Sequence, residues 1–320
     1  MANIYEEMGR NRRGTVVIIA AFILLFLFLG LGIDYYYIGG IRRPVFSIAA
    51  LLVAGISSFG GFWFGDRMVL ASTRARTLDR SNPLENQWQN VVEEMSIASG
   101  IPVPRTYVID DPDPNAFATG RDPKHASIAV TRGLLDSLNR EELQAVAAHE
   151  MSHIRNFDIR LMLIVAVLVG SVALVSDWAG RGMFRSSGRG GRDSRKSEGG
   201  LGPVVLVIWI AAVILAPILS QMMAMLVSRK REYLADASGA ELTRNPLALA
   251  SALGKISSRV EPTRSINRGT AHLCIADPKG SAINSKEGRL ADLFATHPPI
   301  NKRIAALKDM AYVIGSDKAR

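Results

Sequence analysis

The fold of this chain is decided by one stretch, Asn139-Arg-Glu-Glu-Leu-Gln-Ala-Val-Ala-Ala-His-Glu-Met-Ser-His-Ile-Arg-Asn156. It contains neither Gly nor Pro and is rich in residues that favour helices. Asn139 is suited to cap the helix at its N-terminus, and Glu142, three residues later, completes a capping-box pattern. Ala, Val, Met and Ile side chains surround the two histidines, so the stretch predicts a mostly buried helix.

Two histidines of this helix, His149 and His153, are four residues apart. That spacing is about 400° of rotation, so both imidazoles leave one face of the helix and can bind one tetrahedral zinc ion. Glu150 points roughly 100° away from His149, where its carboxylate could take a proton from a metal-activated water. Because the chain has only 5 histidines, a chance H-E-x-x-H pattern is improbable. The alternative, a solvent-exposed polar face, fits poorly with the apolar surroundings.

A catalytic zinc ion needs a third protein ligand. The candidates are any downstream carboxylate and the three other histidines, His125, His272 and His297. Spacing alone does not choose among them. Position favours Glu232. His153 lies shortly before the third apolar run, and Glu232 lies shortly after the fourth. If these two runs form an antiparallel hairpin, Glu232 and His153 come close together. Asp236, one turn later, could accept a hydrogen bond from a ligand histidine.

Two uncharged runs near the start, residues 14–33 and 44–65, are each long enough to cross a hydrocarbon core of about 30 Å as a helix. The short connection between them argues against two buried core helices. The first run is too long for the apolar part of a cleaved signal peptide and has no A-x-A-like site directly after it, so we expect it to be retained. The single cysteine, Cys274, excludes an intramolecular disulfide and fits a reducing compartment.

Two further apolar runs, 161–176 and 201–228, flank a segment rich in Gly, Ser and Arg at 180–200, which we expect to be disordered. The third run covers only about 24 Å as a helix. It therefore either spans with help from its flanks or forms half of a helical hairpin that packs on the protease domain or dips into the membrane. The length of the fourth run favours spanning, although the basic segment would then lie outside, against the charge rule.

The formal net charge of +9 is concentrated beside the apolar runs. Basic residues cluster before the first run and after the second, and only Arg42 and Arg43 lie between them. Since basic residues favour the cytoplasmic side, the N-terminus and everything after residue 65 should be cytoplasmic. Membrane topology thus explains the charge, and no basic-aromatic pattern predicts nucleic-acid binding.

The region between the second run and the motif helix has the pattern of a small α+β unit. Residues 81–99 predict an amphipathic helix that ends at Gly100. Three short β-prone segments follow, at 105–109, 115–119 and 126–131, with a turn cluster after the first. We expect them to pair as a small antiparallel sheet.

Five motifs along the chain resemble those of the HtpX-type membrane metalloproteases, which are related to the CAAX prenyl proteases. They are Asn3-Ile-Tyr-Glu-Glu7, Asn115-Ala-Phe-Ala118, His149-Glu-Met-Ser-His153, Arg231-Glu-Tyr-Leu-Ala-Asp236 and Thr296-His-Pro-Pro-Ile-Asn-Lys-Arg303. The resemblance covers nearly the whole chain. It implies a gluzincin arrangement with one zinc ion, in which Glu232 is the third ligand and Asp236 supports the site.

The resemblance also implies roles for two further motifs. In the family, substrate backbone is bound along an edge strand, which would here comprise Asn115, Ala116, Phe117 and Ala118. The alternative is an ordinary strand without that role. His297 and Arg303 would stabilise the tetrahedral intermediate or hold the loop that does so. A rigid structural turn at 297–299 is the alternative.

The expected architecture is a mainly helical α+β integral membrane protein, with up to four transmembrane helices and a zincin-like metalloprotease domain. Its parts are a membrane hairpin (1–66), a protease segment with the sheet and motif helix (67–158), a second apolar helix pair (159–228) and a protease segment with the third ligand (229–320). The expected location is the cell (inner) membrane, multi-pass, with the active site facing the cytoplasm.

The expected function is zinc-dependent hydrolysis of peptide bonds in misfolded or damaged membrane proteins, with Glu150 as general base. The alternatives are processing of a specific membrane or lipidated peptide, and a zinc-bound but inactive scaffold, against which the intact Glu150 argues. A small transporter or channel is disfavoured, because the four apolar runs contain no charged residue to mark a polar pathway. The sequence does not determine the oligomeric state.

Overall fold

The computed structural model describes residues 4–38, 43–168, 229–258, 273–276 and 298–318. Its helices are α1 (Ile4–Ile38), α2 (Val45–Ser72), α3 (Pro83–Ser99), α4 (Arg132–Ser137), α5 (Arg140–Arg155), α6 (158–168 as far as described), α7 (Arg229–Thr243), α8 (Pro246–Ser258) and α9 (Ile300–Lys318). Its strands are β1 (Arg76–Thr77), β2 (Arg105–Ile109), β3 (Ala116–Gly120) and β4 (Ala126–Thr131). The mainly helical α+β class expected from the sequence is confirmed.

The four strands form one mixed sheet in the order β1-β2-β4-β3. The prediction of an antiparallel sheet is wrong for one pair, because β2 and β4 run parallel while the other two pairs are antiparallel. The physical reason lies in the two connections. The short turn Pro123–His125 folds β3 back on β4 as a hairpin. The longer, proline-containing segment 110–115 instead places β3 one strand away from β2. The gap between them is filled by β4, which therefore lies between β2 and β3.

Both faces of this sheet are buried. Along β4, Ile128 and Val130 pack in the cluster that contains Trp88 of α3 and Met151 of α5. Ala129, between them, belongs to the opposite cluster with residues of α2 and α6. This alternation follows from the two-residue period of a strand. The sheet therefore joins the motif helix on one side to the apolar helices on the other.

Helices α1 and α2 contain the first two apolar runs, and each is long and apolar enough to cross a membrane. Their most apolar windows, Arg13–Gly32 and Val45–Ser72, have mean hydropathies of 2.9 and 2.0. Large apolar side chains are turned outwards on both helices, with Val16 67% and Ile56 71% exposed. An outward apolar face of this length is typical of a helix in lipid.

Helix α6, which holds the beginning of the third apolar run, runs antiparallel to α2. Leu163 lies against Gly65, and Val167, one turn later, lies against Gly61 one turn earlier in α2. On its other side α6 reaches α1, where Leu161 is next to Gly14. The third run thus enters the same helix layer as the first two. Its remainder, the basic segment and the fourth run lie outside the described residues.

Candidate metal centre

The motif helix α5 begins with the capping box predicted from the sequence. The Asn139 side chain accepts the backbone N–H of Glu142 at 2.9 Å, and the Glu142 carboxylate accepts the backbone N–H of Asn139 at 2.8 Å. Glu142 also binds Ser251 and Lys255 of α8, at 2.7 Å each. These contacts fix both the start and the rotation of α5, which brings the motif histidines to the buried side.

Three side chains that can hold a metal meet in the interior, His149 and His153 from α5 and Glu232 from the first turn of α7. All three are buried, with at most 3% exposure. The two Nε2 atoms are 3.2 Å apart. The Glu232 carboxylate oxygens lie 3.8 Å from Nε2 of His149 and 3.6 Å from Nε2 of His153.

This donor set fits zinc. Two nitrogens bound at about 2.0–2.1 Å to one tetrahedral ion are about 3.3 Å apart, close to the 3.2 Å between the two imidazoles. Two imidazoles and one carboxylate are also the donors of many catalytic zinc sites. One oxygen of the neighbouring Glu150, Oε2, is buried and has no hydrogen-bond partner among the residues that the structure describes. A buried carboxylate in that condition is costly unless it serves the chemistry of the site.

His149 is oriented from α7 and α9. Its Nδ1 lies 3.0 Å from Asp236 Oδ1. Arg303 of α9 donates to both oxygens of Asp236, at 2.8 and 2.7 Å, and its Nη1 is 3.1 Å from Glu232. Burial alone would raise the pKa of Asp236, but the Arg303 charge and hydrogen bonds lower it. Asp236 therefore stays ionised beside the histidine, as a carboxylate that orients a metal ligand must.

His153 is oriented by a residue that the sequence analysis did not identify, Asp158, whose Oδ2 lies 3.0 Å from Nδ1 of His153. Burial would lower the pKa of His153, but the Asp158 hydrogen bond and the nearby carboxylates raise it to about 9. The turn between α5 and α6 makes this contact, with Phe157 at a left-handed φ of 60°. The only signal in the sequence is a carboxylate five residues after His153.

Glu150 lies beside the cluster and is 1% exposed. Its carboxylate accepts the backbone N–H of Ala118 in β3. Burial raises its pKa, and the adjacent histidines act in the opposite direction. The motif helix and the strand Ala116–Gly120 are thus joined at the glutamate that was predicted to be the base.

The strand predicted to bind substrate is at the edge of the sheet, but part of its outer side is covered by the chain itself. The backbone N–H of Ile275 donates to the carbonyl of Ala116 at 2.9 Å, and Cys274 pairs with Phe117. Asn115 donates from its side chain to the carbonyl of Ala276 at 3.2 Å. Phe117 is 1% exposed and packs towards α2 and α6.

Of the three other histidines, the structure describes only His125, which does not belong to the cluster of His149, His153 and Glu232. His125 lies on the turn between β3 and β4, where its ring contacts Asp122 at 2.7 Å. It is therefore not the third ligand. His272 and His297 lie outside the described residues, so the role expected for His297 stays a prediction.

The sequence profile of peptidase family M48 matches residues 83–311 of the chain. The chain belongs to this family. It is 42% identical over 307 residues to a protease HtpX homolog of Caldanaerobacter subterraneus subsp. tengcongensis, covering 96% of this chain and 98% of the relative. It is 38% identical over 308 residues to a protease HtpX homolog of Limosilactobacillus fermentum, covering 96% and 100%. The chain is therefore an HtpX-type M48 metalloprotease, a hydrolase, as the motifs predicted.

A solved structure supports the fold. The crystal structure of S. mikatae Ste24p superposes with a TM-score of 0.52 at 17% sequence identity, covering 95% of this chain and 67% of that one. At that identity the likeness concerns the fold alone.

Proposed function

We propose that this M48 protein is a zinc-dependent endopeptidase anchored in the membrane, which cleaves misfolded or damaged membrane proteins at the cytoplasmic face. The convergence of His149, His153 and Glu232 in one buried cluster is the observation that supports it most. These three side chains would hold a single zinc ion. When bound, the ion would polarise the scissile carbonyl and lower the pKa of a water molecule to about 7.

Glu150 acts as the general base in this proposal. Burial raises the pKa of Glu150, and a carboxylate with a raised pKa is a stronger base. The Ala118 N–H holds the carboxylate in place between the strand and the cluster. Glu150 then passes the proton to the amine that leaves as the peptide bond breaks.

Arg303 acts as a positioning residue. It has 0% exposure, and its nitrogens are directed to Asp236, to Glu232 and to the carbonyl of Ile275. That geometry supports a role in holding the carboxylates of the site, which differs from both expected roles, stabilising the tetrahedral intermediate or holding the loop that does so. Stabilisation of the tetrahedral intermediate falls to His297 in this proposal.

Substrate backbone extends the sheet along β3, as proposed for residues Asn115, Ala116, Phe117 and Ala118. The contact between Ala118 and Glu150 supports this, because it places the edge beside the base. Residues 273–276 already engage the edge at Ala116. A substrate strand therefore either takes the place of this segment or continues the edge beyond it.

The location of the site supports membrane substrates and a cytoplasmic face. Asn11 near the start of α1 and Asp158 at the start of α6 are in direct contact at the metal centre. The same ends of these helices border the basic clusters that favour the cytoplasm. The site would then lie close to the membrane surface, where segments emerging from the bilayer can reach it.

The activity is tested with the purified full-length chain, its zinc content and an unfolded fluorescent protein as substrate. Glu150→Gln should keep one zinc ion per chain and lose activity by roughly 10²–10⁴-fold. Glu141→Gln makes the same change at an exposed site on the same helix and should retain activity. Equal turnover by Glu150→Gln and the parent would refute the mechanism. Bound zinc without cleavage by any form would instead favour the inactive scaffold.

Substrate class and orientation need separate measurements. Glu150→Gln expressed in cells should trap mainly membrane proteins, and recovery of one lipidated peptide would favour the processing alternative. For orientation, Cys274 is the single cysteine and is buried, so added cysteines give a clear signal. Ile97→Cys, at a position 83% exposed, should react only with membrane-permeant reagents. Labelling of Ser187→Cys from the cytoplasm alone would exclude four spans.

A further inference from the structure

Asn11 connects the first apolar helix to the metal centre by hydrogen bonds. It lies in α1 and is 4% exposed. Its side-chain amide donates to Asp158 Oδ1 at 2.6 Å and to the backbone carbonyl of Asn156 at 2.9 Å. Both acceptors belong to the turn that connects the motif helix α5 to α6, 145 and 147 residues further along the chain.

Asp158 carries this contact on to a candidate metal ligand. Its Oδ1 receives the Asn11 amide, and its Oδ2 lies 3.0 Å from Nδ1 of His153. The Nε2 atom of His153 faces the cluster, 3.2 Å from Nε2 of His149. A histidine that binds a metal through Nε2 carries its proton on Nδ1 and donates it to the carboxylate behind it. The orientation of Asp158 therefore sets the tautomer and the plane of the His153 ring.

The geometry makes Asn11 the main fixed partner of the outer oxygen of Asp158. The nearest atom of Arg231, Nη1, is 3.7 Å from Oδ1 and contributes charge at longer range. The position of Asn11 depends in turn on how α1 sits on α6, where Gly14 lies against Leu161. Phe22 of α1 and Ile164 of α6 continue the same contact within one apolar cluster.

We propose that Asn11 is a positioning residue of the metal centre, which holds Asp158 so that His153 presents Nε2, and that zinc affinity therefore depends on the seating of the first apolar helix. The inference rests on the proposed zinc site. It assigns to α1 a role in the protease beyond anchoring.

The test is a double-mutant cycle on the full-length chain, with zinc affinity measured by competition against a chromophoric chelator at fixed pH. Asn11→Ala should weaken zinc binding about 10-fold, the lower end of the range for residues that support metal ligands. The same substitution should have little further effect once Asp158→Asn is present, because the contact it removes acts through Asp158. The visible absorption bands of the Co²⁺ form should change in Asn11→Ala.

Two further variants keep the result interpretable. Thr15→Val removes the hydrogen bond from the Thr15 hydroxyl to the backbone carbonyl of Asn11 but leaves the Asn11 side chain in place, and should leave zinc affinity and the Co²⁺ spectrum unchanged. Asn11→Asp keeps the size of the side chain but places a carboxylate against Asp158, and should weaken zinc binding at least as much as Asn11→Ala.

Zinc affinity within twofold of the parent in Asn11→Ala would overturn the inference. An equal loss with and without Asp158→Asn would also overturn it, since a general structural role predicts that result. A parent protein that binds no zinc would refute the proposed function itself. If the parent binds zinc and Asn11→Ala binds it with the same affinity, only the role of Asn11 is refuted.

Discussion

Gly239 of α7 lies against the backbone of His149 in the motif helix. A Cβ atom at position 239 would be 3.0 Å from the His149 nitrogen and 3.2 Å from its Cα. The absence of a side chain lets α7 approach α5 closely at the metal centre. This approach decides the distance from Glu232 and Asp236, which lie on the same helix, to the histidines.

We expect Gly239→Ala to weaken zinc binding and lower kcat/KM, by roughly 10-fold or more. The added methyl group meets helix backbone, which cannot rotate away as a side chain could, so α7 must shift by a few tenths of an ångström. Metal and catalytic sites tolerate little displacement of this kind. Zinc titration and steady-state kinetics measure the effect.

The matched control is Gly254→Ala in α8, where an added Cβ would meet no atom within 4 Å from the described residues outside its own stretch of helix. It should retain activity and gain up to about 1 kcal/mol of stability, since alanine favours the helix over glycine. Similar zinc affinity in Gly239→Ala and Gly254→Ala would show that the close approach does not set the ligand distance.

Arg303 should contribute more to the stability of the zinc-free protein than to that of the zinc-bound protein. Arg303→Met removes a buried guanidinium from beside the buried carboxylates of Asp236 and Glu232, so the free energy of unfolding should fall by about 3–5 kcal/mol. The loss should be smaller with zinc present, because the ion supplies positive charge next to Glu232. Thermal unfolding with and without a chelator measures both values.

Arg132→Met is the comparison for Arg303→Met, because Arg132 is 41% exposed and its contacts are long, at 3.5 Å to Asp136 and 3.9 Å to Glu85. Exposed pairs contribute at most about 1 kcal/mol. Equal costs for the two substitutions, or the same cost for Arg303→Met with and without zinc, would contradict a charge-balancing role for Arg303.

Because of Glu142, the free energy of unfolding should decrease as the pH falls into the acid range. Burial would raise its pKa, but hydrogen bonds from Lys255, Ser251 and the Asn139 backbone lower it below the ordinary 4.5. A group with a lowered pKa stabilises the fold above its unfolded value and loses that contribution as the pH falls through the folded value. Glu142→Gln should therefore cost about 1–2 kcal/mol at pH 7 and progressively less below pH about 4.

Chemical unfolding of the parent and Glu142→Gln across this pH range measures the difference. Glu141→Gln, next to it but exposed, should follow the parent curve. A difference between parent and Glu142→Gln that stays constant down to low pH would mean that the carboxylate charge is not the stabilising feature.

Asp34 near the end of α1 caps the start of α2. Its carboxylate accepts the backbone N–H groups of Phe46 and Ser47, each at 2.8 Å, and also the Ser47 hydroxyl. Asp34→Ala should lower the free energy of unfolding of the chain in lipid nanodiscs by about 1–3 kcal/mol, because the N–H and hydroxyl of the buried Ser47 lose their acceptor. Asp34→Asn keeps one acceptor oxygen and should lose less. Equal stability of Asp34→Ala and the parent would disprove the capping role.

Much of the local structure could be predicted from the sequence. The capping box at Asn139 and Glu142, the helix that ends at Gly100, and the strands at 105–109 and 126–131 all lie where the pattern placed them. Each depends on interactions within a few residues, such as a cap, a left-handed glycine or a two-residue alternation. A conditional hairpin argument and the family resemblance favoured Glu232 among several candidates, and the structure places its carboxylate beside the motif histidines.

Features that depend on contacts distant in sequence could not be predicted. The parallel pairing of β2 with β4 depends on where a connection crosses the sheet, which strand propensities do not specify. No sequence pattern indicates the contact of Asn11 with Asp158, which joins residues 147 positions apart. The cover on β3 comes from residues 273–276, more than 150 positions away along the chain.

From the sequence alone, the spacing of His149, Glu150 and His153 predicts which face of a helix each side chain occupies, because that geometry holds on any helix. The two apolar helices were also predictable, because length and composition suffice for that. The tertiary structure decided which carboxylates orient the histidines and which helix supports them. These depend on the packing of α1, α6, α7 and α9 around α5, where distances of about 3 Å join side chains that the chain order keeps far apart.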